Sequence, residues 1–161
     1  RGGQKLVAQR LEPQRRRRLG LVRGEMLLQN VALGFELATD LPLVHGDRIQ
    51  LQQALLNLMI NAMDAMKEMP GGVRRVVVRT ARTDSRSVRV SVEDTGVGIS
   101  PDKLEHLFEP FVTTKPHGMG LGLSICRSII QAHGGHIGGE GNAERGATFW
   151  FTLPATEGER P

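Results

Sequence analysis

The stretch LQQALLNLMINAMDAM, residues 51–66, decides the fold, because its polar residues fall on one narrow line of an otherwise apolar helix. Gln50, Gln53, Asn57, Asn61 and Asp64 are spaced 3, 4, 4 and 3 residues apart, which places them on a single helical face. Nearly everything else from Ala54 to Met66 is apolar. A solvent face this narrow ordinarily carries Lys, Glu or Arg; this one carries amides and one carboxylate. Asn favours caps over helix interiors, so two of them in mid-helix point to a site. The alternative is a short polar face packed beside a loop. Amide oxygens and water suit Mg²⁺, which takes few protein ligands and completes its shell with substrate phosphates.

Outward from this helix the elements follow in turn. Asp47 stands at the N-cap position with Gln50 three residues later, a capping-box pattern. The helix is expected to run to about Met69, where Pro70-Gly71-Gly72 stops it. Upstream, residues 31–39 read as a strand and 40–47 as a loop broken by Pro42 and Gly46. Downstream, residues 76–82 and 88–93 read as a hairpin closed by the turn TDSRS, with Val88, Val90 and Val92 on its buried face. Ser100-Pro101 opens a short helix with Ser as cap. Residues 121–133 form another, ended by Gly134-Gly135, and residues 147–154 form a last strand stopped by Pro154. No repeat and no regular βαβ alternation is present. The expected class is therefore α/β, a two-layer sandwich with a mixed sheet.

Composition narrows the function. The chain has 161 residues, 39% hydrophobic and 24% charged, which fits one soluble globular domain rather than a disordered chain. No apolar run approaches the ~20 residues that span a bilayer, and no apolar segment follows the basic start as in a signal peptide. The chain begins at Arg1 rather than Met, so a fragment of something longer is expected. The net charge of +4 belongs to the start: residues 1–23 hold eight Lys/Arg against one acid, and the remaining 138 hold 13 against 16. The run Arg15–Arg18 has no interleaved aromatics, so a solvated helix end or linker is preferred over nucleic-acid or anionic-lipid binding. Cys126 alone excludes an internal disulfide and a Cys-rich zinc site. Of the histidines 45, 106, 117, 133 and 136, the last two read as turn residues rather than a metal pair. The organisation expected is a basic linker or end of a preceding dimerisation helix at 1–24, a domain at 25–154 and a disordered tail at 155–161.

Two further stretches carry chemistry. In VEDTGVGIS, residues 92–100, Asp94 closes a strand before two glycines turn the chain. Ligands gather at the carboxyl ends of strands, and a buried carboxylate needs donors, such as an exocyclic amine. A solvated Asx turn is the alternative. In LFEPFVTTKPHGMGLGLSICRSII, residues 107–130, a polar segment with Lys115 and three alternating glycines leads into a helix. The free N–H groups of that helix start form an anion site. The spacing G-x-G-x-G, with no strand before it and no acidic residue about 20 on, excludes a dinucleotide fingerprint, and no P-loop pattern exists.

Together and in this order, these stretches resemble the catalytic ATP-binding domain of bacterial sensor histidine kinases, in the superfamily that also holds DNA gyrase B, Hsp90 and MutL. The resemblance covers about residues 30–154. Residues 57–65 are similar to the N box, 94–98 to the G1 box, 108–111 to the F box, 118–122 to the G2 box, and GATFWFTLP (146–154) to the last conserved strand. FEPFVTTK with a short lid is most similar to the nitrogen-regulation and oxygen-sensing kinases. The resemblance implies a Bergerat fold, a mostly antiparallel sheet on three helices, binding Mg²⁺ and ATP. It gives Asn61 to the metal, with Asn57 nearby. Asp94 would accept the adenine amino group, with Gly96, Gly98 and Thr148 around the base and Ile99 and Leu123 as apolar walls. Lys115 and the backbone of Gly118, Met119, Gly120, Leu121 and Gly122 would hold phosphates. Asp64, Ala65, Thr113 and Thr114 complete the nucleotide set, and Asn57, Asn61 and Lys115 the catalytic one.

Where the superfamily's ATPases place a Glu base, this chain has Asn57, which cannot take a proton, so an ATP-hydrolysing role is the disfavoured alternative. None of the five histidines precedes Glu or Asp, and the phosphoacceptor motif is absent. The resemblance therefore implies transfer of the γ-phosphate to a histidine in a dimerisation domain outside this chain, and relay to a response regulator. It also implies a cytoplasmic location, with a parent that can be anchored in the inner membrane. The parent would be a homodimer, this piece a monomer, and neither a nucleic-acid binder. With seven residues, 111–117, between Pro110 and Gly118, the lid is short, and residues 112–119 are expected to be the most mobile interior segment without nucleotide.

Overall fold

Alternating apolar residues in four strands and apolar stripes on three helices need one shared core, and a single sheet supplies it. The computed structural model describes residues 5–6, 16–67, 69–83, 86–112 and 120–156. In chain order these form β1 (Lys5–Leu6), α1 (Arg16–Leu28), β2 (Ala32–Leu37), β3 (Val44–His45), α2 (Arg48–Lys67), β4 (Arg75–Thr83) and β5 (Ser87–Asp94). There follow α3 (Pro101–Leu104), α4 (Gly122–Ala132), β6 (His136–Gly141) and β7 (Ala147–Pro154). Five strands make one mixed sheet in the order β2-β4-β5-β7-β6. Its β2–β4 pair is parallel and its other pairs are antiparallel. Parallel neighbours need a long crossover, and α2 lies within it.

One face of the sheet buries Val76, Val78, Val92, Phe149, Phe151 and Leu153 against side chains of α1, α2 and α4. Each such large side chain contributes about 1.5–3 kcal/mol on leaving water. The other face is polar: Arg79 pairs with Glu36 and Glu93, and the Arg89 guanidinium lies 4.5 Å over the Trp150 ring. This is the two-layer, mostly antiparallel sandwich on three helices that the sequence led us to expect.

Helix α2 begins where Asp47 directs. The Asp47 carboxylate accepts the N–H groups of Ile49 at 2.8 Å and Gln50 at 3.0 Å. Gln50 does not close the reciprocal half of the capping box. The Asp47 N–H instead donates to His133 Nε2 at 2.9 Å. His133 therefore joins two helices rather than marking a plain turn, and its Nδ1 meets the Ile129 carbonyl at 2.6 Å. Past it, Gly134 and Gly135 donate to the carbonyls of Gln131 and Ile130, the paired bonds of a Schellman ending.

Several expectations need correction. Strand β6, HIGGEG, is absent from the expected elements because glycines weaken strand propensity; His136 opens this strand rather than sitting in a turn. Its glycines answer to the partner strand: a Cβ on Gly138 would stand 2.5 Å from Trp150. The loop at 40–47 contains β3, which pairs with β1 and bridges Ala155. A two-residue pairing carries no periodicity to read. Residues 16–24 are helical and continue to Leu28, with Val22 and Met26, four apart, in the core. The helix thus spans the expected boundary after residue 24. Ala155 and Thr156 are tied to the body through Arg86 and Leu43; residues 157–161 lie outside the described residues. Ser100 has the extended backbone of a cap but makes no capping bond to the helix; its hydroxyl instead meets Asp102, holding that carboxyl below its ordinary value of 3.8.

Asp47→Ala removes two capping bonds and should lower unfolding free energy by about 1 kcal/mol, read from chemical denaturation. A change within error would show that the His133 contact alone sets this helix start.

Candidate functional site

Strand β5 ends by burying a carboxylate. Asp94 is 1% exposed. Its Oδ1 accepts the Gly96 N–H at 2.8 Å and the Ala147 N–H at 3.3 Å. Its Oδ2 is buried with no partner among the described residues. The local bond to Gly96 is that of an Asx turn, yet the group is not solvated. Burial pushes the Asp94 carboxyl up from 3.8 to about 6, opposed by the Gly96 and Ala147 N–H groups and assisted by the nearby Glu93 charge. The orphan oxygen wants a donor.

The surrounding backbone is built for close approach. Gly146 has φ +85°, and an added Cβ would overlap the Asp94 carbonyl. That carbonyl also accepts Asn142 Nδ2 at 3.4 Å. The turn after Asp94 reaches α2, where the Val97 N–H donates to the Ala65 carbonyl at 3.2 Å. Thr95 locks its other side, donating from Oγ1 to the Val73 carbonyl at 2.7 Å. Helix α4 enters from the opposite direction. Asn57 on α2 donates from Nδ2 to the Gly122 carbonyl at 3.4 Å, and the Cys126 thiol donates to the Ala54 carbonyl at 3.4 Å. Burial pushes that thiol up to about 12, so it is inert.

The expected site residues among those described fall on three neighbouring elements, α2, the turn after β5 and the start of α4. Asn57, Asn61, Asp64 and Ala65 follow one another along α2, and Asp64 pairs with Lys67 at 2.8 Å. Asp94, Gly96, Gly98 and Ile99 form the β5 end and its turn. Ile99 and Leu123 pack partly buried against the core. Gly120, Leu121, Gly122 and Leu123 lie at the start of α4. Upstream, Phe108 meets Phe149 edge to face at 6.2 Å, and the Phe111 N–H donates to the Gly120 carbonyl at 3.1 Å. Thr113, Thr114, Lys115, Gly118 and Met119 lie outside the described residues, and so does the mobility expectation beyond Val112.

Thr148 is the exception. Strand neighbours point to opposite faces, so with Ala147 in the core, Thr148 faces away and donates to Asn142 Oδ1 at 2.8 Å. The residues that meet Asp94 are Gly146 and Ala147, through backbone; the signal for them was the glycine before the strand in GATF. A cleft of about 530 Å³ opens beside this turn, lined among others by Ile99, Lys103, Asn142, Arg145 and Gly146. It does not include Asp94, so the buried carboxylate rather than volume locates the chemistry.

Comparison with known proteins agrees with this geometry. Residues 46–157 match the family model "Histidine kinase-, DNA gyrase B-, and HSP90-like ATPase". The Sensor protein FixL of Bradyrhizobium diazoefficiens is 49% identical over 129 residues, covering 80% of this chain and 25% of that protein. The chain thus spans about a quarter of the length of the curated relatives it matches. The nucleotide-free catalytic domain of histidine kinase ThkA superposes with a TM-score of 0.73 at 38% identity, covering 85% of this chain and 87% of that one. ThkA is also similar in its complex with response regulator protein TrrA, at TM-score 0.70 and 34% identity over 88% of this chain and 39% of that one. Full-length ShkA in complex with AMPPNP gives 0.72 at 33% identity, covering 88% and 30%.

The folded protein holds the Asp94 proton more tightly than the unfolded chain does. The stability this contributes is fully present below pH 3.8 and is lost as pH rises through about 6, a swing of roughly 3 kcal/mol at most. Asp94→Asn should therefore gain stability relative to wild type as pH rises across that window, measured by thermal midpoints. Parallel curves would contradict a buried titrating carboxylate.

Proposed function

The chain belongs to the family of histidine kinase-, DNA gyrase B- and HSP90-like ATPases, on its histidine kinase side, and from that premise we propose that it binds Mg-ATP. In the parent kinase it directs the γ-phosphate to a histidine of a dimerisation domain, for relay to the aspartate of a response regulator. The observation that carries the reading is Asp94 Oδ2, a buried acceptor without a partner. An adenine amino group is a donor of the right kind to satisfy it. The bound form of ShkA, with AMPPNP, and the ThkA complex with its regulator support the nucleotide and the partner.

The residues divide the work by their chemistry. Asp94 accepts from the base, and Ile99 and Leu123 flank it with apolar surface. Asn61 offers an amide oxygen to Mg²⁺. Among the described residues no three His, Cys, Asp or Glu gather as a metal cluster, which suits an ion that takes phosphate and water for most ligands. Bound Mg-ATP supplies the transferable phosphoryl group and the charge that neutralises it. The start of α4 offers N–H groups to phosphate, and Lys115 a cation. Asn57 cannot abstract a proton, and phosphoryl transfer asks mostly for positioning and charge neutralisation. Hydrolysis of ATP by water should then be slow.

Among the described residues no helix is long and apolar enough to cross a membrane. We assign the chain to the cytoplasm on its kinship with sensor kinases, within a homodimeric parent. The Arg15–Arg18 run has no part in this reading.

Titration with an ATP analogue should show Mg²⁺-enhanced binding. Asp94→Ala should weaken adenine nucleotides by at least tenfold, about 1.4 kcal/mol, and Asn61→Ala should abolish the Mg²⁺ increment. Wild-type affinity in Asp94→Ala would defeat the assignment. Because donation to Oδ2 favours the ionised carboxylate, affinity should fall as pH drops below about 6.

A further inference from the structure

Asn57 occupies the position where a general base would stand, yet its amide is committed within the protein. Gln53 Nε2 donates to Asn57 Oδ1 at 2.9 Å. The Gly122 carbonyl, which only accepts, assigns the amide: Nδ2 faces α4, and the oxygen faces back along α2 to take the Gln53 donor. Nδ2 donates to the Gly122 carbonyl at 3.4 Å. One turn of α2 is thus stitched to the first turn of α4 at two places, Asn57 to Gly122 and Ala54 to Cys126.

We infer that Gln53 and Asn57 form an amide relay that positions the first turn of α4, the turn whose N–H groups face the phosphates, and that Gln53 is a positioning residue acting through Asn57. The inference rests on the Mg-ATP reading of the site. The adenine end, at Asp94, shares none of these contacts. The relay therefore governs the phosphate end of the ligand and leaves the base end alone.

The test is calorimetric titration of the chain with adenosine and with ADP. Wild type should bind ADP more tightly than adenosine. Gln53→Met keeps the length and loses the donor, and should weaken ADP roughly fivefold, about one net hydrogen bond, while adenosine binds as before. In an Asn57→Ala background the same Gln53→Met change should do nothing further. Gln53→Glu presents acceptors instead, turning the Asn57 amide so that Oδ1 faces the Gly122 carbonyl. Its loss of ADP affinity should exceed the loss it causes in the Asn57→Ala background, where only its charge acts. Unaltered ADP binding in Gln53→Met, an equal loss with and without Asn57, or an equal loss for adenosine would each overturn the relay. A wild-type chain that bound neither ligand would overturn the nucleotide reading, and the relay with it.

Discussion

A carboxylate at 1% exposure is the constraint around which this half of the molecule is arranged. An ionised group removed from water must be met by donors. Two backbone N–H groups, from Gly96 and Ala147, converge on Asp94 Oδ1, and charge-assisted bonds of this kind are worth about 1.5–3 kcal/mol each. To bring them there, the chain must turn at once after β5, and the β6–β7 connection must press its backbone on Asp94. Gly146 permits that approach, since any side chain would collide with the Asp94 carbonyl. Oδ2 is left out of the arrangement, at a cost of about 1–3 kcal/mol for an unmet buried acceptor. That cost is what a ligand donor recovers.

The helices frame this point from two sides. The 95–99 turn fastens to α2 through Val97 and Ala65, while α4 is held to α2 at both of its ends. Packing of α2 and α4 over β5 and β7 then keeps the carboxylate, the amide stripe and the start of α4 in one register. The polar outer face of the sheet plays no part; its Arg79 and Arg89 contacts keep that face wet.

The parts legible in the sequence are those whose pattern is local. Helix α2 is readable from its apolar period and its Asp47 cap, β5 from the alternation of Val88, Val90 and Val92, and the end of β7 from Pro154. The amide stripe and Asp94 were readable because they break the rules for a helix interior and for a buried side chain. What escaped depends on partners far along the chain. Strand β6 exists because Trp150 needs glycine opposite it, which no window around residue 138 reveals. Thr148, expected beside the base, lies one residue past the Ala147 N–H that meets Asp94; a backbone contact has no residue signature, and a one-residue step along a strand reverses the face. The capping box half-formed because His133, 86 residues away, supplied the acceptor.

The two ends of α4 are tied to α2 by different chemistry. At the far end, His133 makes short contacts, 2.6 Å to Ile129 and 2.9 Å to Asp47, beside a complete Schellman ending. At the near end, Asn57 Nδ2 meets the Gly122 carbonyl at 3.4 Å and the Cys126 thiol meets the Ala54 carbonyl at 3.4 Å, an ordinary reach for a sulfur donor. The near end carries Gly120 and Gly122, with the Gly120 carbonyl accepting the Phe111 N–H at 3.1 Å. The buried acceptor is thus fixed by the sheet and the turn after β5, and the start of α4 by its links to α2.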